Sequence, residues 1–165
     1  MVTPEWVRTM ARYNGLMNAD LYAAAGRLGD EERRRERGAF WGSIEGTLAH
    51  LLWGDRMWMS RFAGWEKPGV PLKESAILTG PFAELAQARE DADARLQAWA
   101  DALDPAWLAE DQTWFSGAAG REMRRPRGLL VAHLFNHQTH HRGQVHAMLT
   151  AAGAAPGVTD LMLLV

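Results

Sequence analysis

Apolar residues recur at helical spacing in four long stretches of the chain, separated by glycine and proline. Thr3-Pro4-Glu5 has the hydroxyl cap, the proline and the acidic first turn of a helix start. The stretches cover residues 3–28, 43–64, 82–103 and the segment from Pro126 to Gly153. Each predicts an amphipathic helix of roughly 22–26 residues, which is typical of an all-α four-helix bundle.

The connections between these helices refine the predicted architecture. The linker at residues 65–80 is long enough to run the length of a bundle, since about 15 extended residues reach roughly 50 Å. This length allows an up-down-down-up topology without requiring it, and a simple meander stays open. Residues 112–115 and 121–123 flank a glycine-containing turn and predict a short β-hairpin before the last helix. We expect one domain over residues 1–165.

Composition narrows the classes of protein that remain. Apolar residues make up 47% of the 165 residues and charged residues 23%, as in a soluble globular domain. The chain has no cysteine, which excludes disulfides, thiolate metal sites and cysteine nucleophiles. A net charge of −2 indicates no nucleic-acid partner, and no apolar run is long enough for a membrane span. With no signal peptide in the sequence, we expect a cytoplasmic protein.

Histidines are concentrated in the fourth helix. The chain has six, of which five lie between His133 and His146. His137 and His141 lie about 40° apart around a helix, so both imidazoles can reach one metal ion. His133 lies about 40° to the other side of His137. Spacing therefore leaves the pairs 133/137 and 137/141 both open, and two locally hydrogen-bonded, half-exposed histidines are the ordinary alternative.

A third histidine makes a metal site more specific. His137 and His141 share a stripe with Leu134, so they face the bundle interior, where unpaired polar rings are costly. His50 lies in the middle of the second helix and could face them across the core. Three neutral nitrogens around one divalent ion leave a coordination position open for water or substrate.

Two segments carry a resemblance to a known family. Both resemble segments of the damage-inducible, YfiT-like DinB family. The first is Thr47-Leu-Ala-His-Leu-Leu-Trp-Gly-Asp-Arg-Met-Trp58, and the second is Asn136-His-Gln-Thr-His-His-Arg-Gly-Gln144. The resemblance spans nearly the whole chain. It implies an up-down-down-up four-helix bundle, a homodimer, and one divalent metal on His50, His137 and His141. Some relatives transfer low-molecular-weight thiols such as bacillithiol, or use mycothiol in isomerisation.

Several polar residues are candidates for support around that site. Asp55 interrupts an apolar seam and needs a partner, and we predict an ion pair with Arg142 on the facing helix. Asn14 and Asn18 could face the site from the first helix, with exposure as the alternative. We expect His133 near the site mouth or hydrogen-bonded in the core. His140 is predicted to lie beside the ligands or at the surface. His146 is predicted to be exposed to solvent.

These features favour a metal-dependent enzyme of the thiol-transferase or hydrolase type. The ion is expected to be zinc or nickel, with iron or copper as alternatives, and the partner a small-molecule substrate such as a low-molecular-weight thiol. No catalytic side chain beyond the metal ligands is identified. The competing hypothesis is a non-catalytic, metal-binding stress-response protein whose ion is structural.

Overall fold

A computed structural model describes residues 2–77, 80–117 and 119–165, so residues 78 and 79 of the predicted linker lie outside the described part. The fold is mostly helical, with one two-stranded antiparallel sheet. The four long helices are α1 (Pro4–Gly26), α3 (Ile44–Phe62), α4 (Phe82–Asp101) and α6 (Arg127–Ala151). The shorter elements are α2 (Asp30–Arg34), a 3₁₀ helix (Leu72–Ile77), α5 (Pro105–Ala109), β1 (Asp111–Ser116), β2 (Arg121–Pro126) and α7 (Leu161–Leu164).

Local sequence signals explain where these elements begin. Thr3 caps α1 by accepting a hydrogen bond from the Trp6 backbone N–H at 3.2 Å, and Ser43 caps α3 through the Gly46 N–H at 3.0 Å. The predicted hairpin is present, with Trp114 of β1 opposite Met123 of β2. Each long helix ends two residues before its predicted limit, because its last turn gives way to a C-cap residue.

The interior of the bundle is divided into two apolar clusters. One packs Leu21, Leu48, Leu52, Leu85 and Leu149 with their neighbours. The other packs Val7, Met59, Leu96, Leu134 and Phe135. In α1 and α6 the buried polar residues fall between the positions that supply the two clusters, and Asp55 does so in α3. His50 of α3 and Arg89 of α4 lie among positions of the first cluster. A polar layer therefore crosses the middle of the bundle, and both sequence-predicted site helices pass through it.

Helices α3 and α6 face each other along this layer. Trp58 near the end of α3 contacts His133 near the start of α6, and His50, about two turns earlier on α3, contacts His141. The contacts thus run in opposite order along the two helices, which brings His50 against the histidine-rich segment. Among the described residues, no helix combines the length and apolar character that crossing a bilayer requires.

Candidate metal centre

Three histidines converge from two helices at one point of the polar layer. His50 comes from α3, and His137 and His141 come from successive turns of α6. One ring nitrogen from each lies within 4.8 Å of the other two. The His50 Nε2 and His137 Nε2 atoms are 3.1 Å apart. Nitrogens bound to one tetrahedral zinc ion at 2.0–2.1 Å are about 3.4 Å apart, so this spacing is close to that of a ligand set.

Gly54 permits the close approach of α3 to His137. A Cβ atom at this position would lie 3.0 Å from His137 Cε1 and 3.5 Å from His137 Nδ1. The imidazole would have to give way by a few tenths of an ångström, because 3.0 Å is shorter than an ordinary contact between carbon atoms. The glycine is one turn after His50, so the absence of a side chain there leaves space for the facing ring.

Hydrogen bonds orient two of the three rings. His141 Nδ1 lies 2.7 Å from Gln144 Oε1, and because an amide oxygen only accepts, Nδ1–H donates and Nε2 keeps its lone pair. His50 Nδ1 lies 2.8 Å from the Oγ of Ser75, a buried residue of the 3₁₀ helix. When Nδ1–H donates to Ser75, His50 Nε2 is likewise free to bind an ion. His137 Nδ1 is buried and has no hydrogen-bond partner among the described residues.

Tryptophans enclose the His50 ring. Trp41 stacks on it with ring centroids 4.0 Å apart and planes 22° apart, and Trp53 lies 6.1 Å away at 15°. The Trp53 Nε1–H donates to the Val70 carbonyl at 2.9 Å, which fixes its ring. The aromatic faces exclude water from His50, whereas His137 is only partly buried.

Burial keeps these imidazoles neutral. Burial, together with the neighbouring His137 and His141, lowers the pKa of His50 to about 3. Burial lowers the pKa of His137 to about 4, with the same contribution from nearby histidines. The pKa of His141 is also lowered by burial. Neutral imidazole is the form that binds metal ions, so the site is ready to accept one at pH 7 without losing protons.

Comparison with known proteins now identifies the group to which this fold and site belong. The sequence pattern of the DinB family matches residues 1–165. The chain belongs to the DinB family. A solved structure of a DinB-like protein from Bacillus cereus ATCC 10987 has the same fold, with a TM-score of 0.61 and 21% sequence identity over 86% of this chain and 90% of that one. No curated protein sequence matches the chain.

The predicted direct ion pair between Asp55 and Arg142 in this DinB-family protein is wrong. Asp55 Oδ2 accepts a hydrogen bond from Arg89 Nη1 at 2.6 Å instead, and Asp55 Oδ1 accepts from the Gln138 amide. Arg142 donates to Asn14 Oδ1 and, at 3.4 Å, to Gln138 Oε1. Gln138 lies one turn before Arg142 on α6 and therefore stands between the two predicted partners.

These contacts belong to a closed polar ring that joins all four long helices. Arg89 also pairs with Asp93 at 2.7 Å, and Asp93 accepts from Asn14 at 3.4 Å. The ring consists of Asn14, Asp55, Arg89, Asp93, Gln138 and Arg142. Asn18 joins it from outside by donating to Asp93 at 3.0 Å. Asn14, which the sequence places either toward the histidines or in solvent, is buried and makes its described hydrogen bonds to ring members.

The ring and the oriented histidines include residues that the sequence analysis missed. Arg89 had a usable signal, since a charge between Leu85 and Ala92 on an apolar stripe needs a buried partner. Gln138 carried no signal except its place beside His137. Ser75 lies in a long connection without periodicity, so nothing in the sequence indicates that it would reach His50.

The other three histidines lie outside the converging group. His133 is exposed at one edge and packs its ring against Trp58, with centroids 5.3 Å apart. His140 is exposed, and its Nε2 accepts from the Gln144 amide at 3.4 Å. His146 is partly buried rather than exposed, because its Nε2 lies 3.4 Å from the Gly157 carbonyl of the C-terminal segment.

Proposed function

We propose that this protein binds one divalent transition metal ion through His50, His137 and His141 and is a metal-dependent enzyme of the thiol-transferase or hydrolase type. The observation that carries the proposal is the convergence of three ring nitrogens within 4.8 Å. The buried, unpaired His137 Nδ1 adds support, because the three rings do not satisfy one another by hydrogen bonds alone.

The donor set fits such an ion. Three neutral imidazoles suit zinc or nickel first, and iron or copper as alternatives. Three protein ligands also leave a tetrahedral ion one position for a small molecule. A divalent ion with only neutral ligands lowers the pKa of a bound water or thiol and thereby supplies hydroxide or thiolate at neutral pH.

Residues around the three histidines would orient the rings, exclude water and leave one side open to the substrate. Ser75 and Gln144 hold the His50 and His141 rings with their inner nitrogens free. Trp41 keeps water from one face of His50. His137 is the most accessible of the three, so we propose that the substrate approaches on its side. Because the chain has no cysteine, the thiol of a transfer reaction must come from the substrate.

A structural ion is the second candidate. Its support is that the three ligands come from two helices, so an ion bound there would cross-link α3 to α6. A metal-binding stress-response protein without turnover would need no more than this. The two candidates share the same ligands and differ in what the bound ion does.

We also propose the up-down-down-up course of the helices and a homodimer, as the family resemblance implies. The topology is supported by the order of contacts between helix pairs. Residue numbers of contacting pairs rise together along α1 and α6, where Trp6 contacts Phe135 and Asn14 contacts Arg142, so these two helices are parallel. The same holds for α3 and α4, where Asp55 contacts Arg89 and Phe62 contacts Trp99.

Metal analysis tests the binding step. Wild type, His137→Ala and His146→Ala are purified together, loaded with zinc or nickel, desalted and analysed for metal and protein. We expect about one equivalent in wild type and in His146→Ala, which changes a histidine of the same helix outside the group. His137→Ala should retain almost none. If wild type holds no more metal than His137→Ala, the proposal fails.

Turnover separates the enzyme from the structural ion. The loaded proteins are assayed with low-molecular-weight thiols and an electrophile, following loss of free thiol, while thermal unfolding is recorded with and without metal. An enzyme consumes thiol in wild type but not in His137→Ala. A structural ion raises the melting temperature of wild type without thiol consumption.

A further inference from the structure

The seam between α3 and α6 continues beyond the three histidines toward the β-hairpin. Gly54, which touches His137, and Arg61 are seven residues apart on α3. Seven residues make almost two turns, so the two positions lie about 20° apart on the helix and roughly 10 Å apart along it. Trp58 lies between them and faces His133 of α6. A small molecule that lies along this seam from His137 would therefore reach Arg61.

Arg61 is held by aromatic faces. Its guanidinium carbon lies 4.6 Å from the Trp58 ring centroid and 5.8 Å from that of Trp114 in β1. The two tryptophan rings pack edge to face at 5.7 Å. Stacking occupies the flat face of a guanidinium and leaves its N–H groups, which lie in the plane, free to donate.

The charge of Arg61 has no acidic partner among the described residues. Burial alone accounts for the lowering of its pKa, without a contribution from any carboxylate. Two arginines of the neighbouring hairpin region are paired, Arg124 with Asp111 at 2.8 Å and Arg127 with Glu110 at 2.6 Å. Arg61 differs from both because it is partly buried and has no acidic partner among the described residues. A desolvated cation of this kind binds an added anion more strongly than a cation that is already paired.

His133 supplies a second polar group beside the same tryptophan. Its ring contacts Trp58, and its centroid is 6.0 Å from that of His137. The residue is exposed, so a molecule bound at His137 can reach it without rearrangement of the helices. A line of accessible groups thus runs from His137 through His133 and Trp58 to Arg61.

We propose that Arg61, Trp58, Trp114 and His133 form a subsite for a carboxylate of the substrate, whose other end reaches the three histidines. This inference rests on the proposed metal-dependent function and adds the substrate class. The reacting atom and an anionic group should be separated by roughly 10 Å, as in a small acidic thiol. The guanidinium binds the carboxylate through paired N–H groups, and the tryptophan rings restrict water around the ion pair.

Two peptides that differ in one charge test the subsite. N-acetyl-Cys-Gly-Gly carries a free carboxylate on the second residue after its cysteine, and its C-terminal carboxamide is the uncharged match. Both are titrated calorimetrically into zinc-loaded wild type, Arg61→Met, Arg61→Lys and Arg12→Met. Arg12 is an exposed arginine of α1 outside the seam, so its variant controls for the loss of one positive charge.

We expect wild type and Arg12→Met to bind the acid about tenfold more tightly than the amide, which corresponds to about 1.4 kcal/mol. Arg61→Met should bind both peptides equally, and Arg61→Lys should keep part of the preference. Equal binding of the two peptides by wild type, or an unchanged preference in Arg61→Met, overturns the subsite.

Metal content, measured first, separates this failure from failure of the proposed function. If zinc binds and no preference appears, the subsite fails and the metal site stands. If zinc does not bind, the proposed function fails, and the serine analogues of the two peptides are titrated into metal-free protein. A preference for the acid that is lost in Arg61→Met then supports the anion subsite, and equal binding overturns it.

Discussion

The polar ring and the three-histidine site are two buried polar clusters in the same layer of the bundle. In the ring, two arginines and two aspartates balance in charge, and each member bonds to both neighbours. In the histidine site, three neutral rings converge with His50 Nε2 and His137 Nε2 only 3.1 Å apart, and His137 Nδ1 has no described partner. The hydrogen bonds of the ring close within the protein, whereas the histidine site keeps a buried ring nitrogen without a described partner. The two clusters therefore differ in whether their polar atoms have hydrogen-bond partners. The ring, with its partners in place, sets the register of the helices, and the histidine site, with a nitrogen that has no described partner, can bind a ligand.

The two clusters are interleaved on α6. Gln138 and Arg142 of the ring each follow a histidine of the site by one residue, which is about 100° around the helix. The ring thus fixes the rotation of α6, and with it the direction of His137 and His141. Substitutions in the two clusters should have opposite signatures: loss of folding stability for the ring, and loss of metal affinity for the site.

The largest effect is expected for Asp55→Ala. It leaves Arg89 buried beside Asp93 only and removes the acceptor of the Gln138 amide. We expect a loss of about 3–5 kcal/mol in the free energy of unfolding, because an uncompensated buried charge is costly. Urea denaturation measures it, with the exposed Asp101→Ala as the matched control. A loss below about 1 kcal/mol would show that the ring does not stabilise the bundle.

Acid should destabilise the metal-free protein through the histidine site. The unfolded state has histidine pKa values near 6.5, whereas those of His50 and His137 in the folded state are about 3 and 4. Between these values the unfolded chain binds more protons, so stability is full above about pH 6.5 and falls as the pH is lowered. The slope is at most about 1.4 kcal/mol per pH unit for each histidine.

Urea denaturation between pH 7 and pH 5 measures this slope. The double variant His50→Gln/His137→Gln should show a flatter dependence than wild type, and His146→Gln, a change outside the histidine group, should match wild type. An equal slope in wild type and the double variant contradicts the neutral state assigned to the two buried rings.

Ser75→Ala should weaken metal binding with little effect on stability. It removes the acceptor of the His50 Nδ1–H, which fixes the tautomer and direction of that ring. We expect metal affinity to fall by about tenfold to a hundredfold, measured by competition with a chelator. Ser60→Ala on α3, where the hydroxyl donates to the Met57 carbonyl, should leave affinity unchanged. Equal affinities for Ser75→Ala and wild type would remove Ser75 from the site.

The smallest and most selective effect is expected from two glycines. Gly54→Ala places a Cβ 3.0 Å from His137 Cε1, whereas Gly143→Ala meets nothing within 4 Å. Alanine favours a helix over glycine by about 1 kcal/mol, so Gly143→Ala should stabilise the protein by about that amount and leave metal affinity unchanged. Gly54→Ala should lower metal affinity severalfold without a comparable gain in stability. Thermal unfolding and chelator competition measure both, and identical behaviour of the two variants would contradict the close approach.

Local signals in the sequence account for most of the fold and part of the site. Caps at Thr3 and Ser43 predict where α1 and α3 begin, and the hairpin follows from strand-like residues around a glycine turn. The i, i+4 spacing places His137 and His141 on one face because it depends only on helix geometry.

The partners across the bundle could not be predicted in the same way. The apolar seam shows that Asp55 is buried, but a pattern within one helix does not tell which of two facing helices supplies the cation. Arg89 of α4 pairs with Asp55, and Gln138 lies between Asp55 and Arg142. Ser75 was missed for a related reason, since its contact with His50 depends on the path of an irregular connection.

Trp41 gives the protein an optical reporter for its own site. Its indole stacks on the imidazole of His50 at 4.0 Å, closer than any other described tryptophan ring to a member of the histidine group. Open-shell ions such as copper or nickel quench indole emission at short range, whereas closed-shell zinc does not. Because the chain has eight tryptophans, the difference in emission between wild type and Trp41→Phe can follow loading and, through the depth of quenching, distinguish classes of ion without a label.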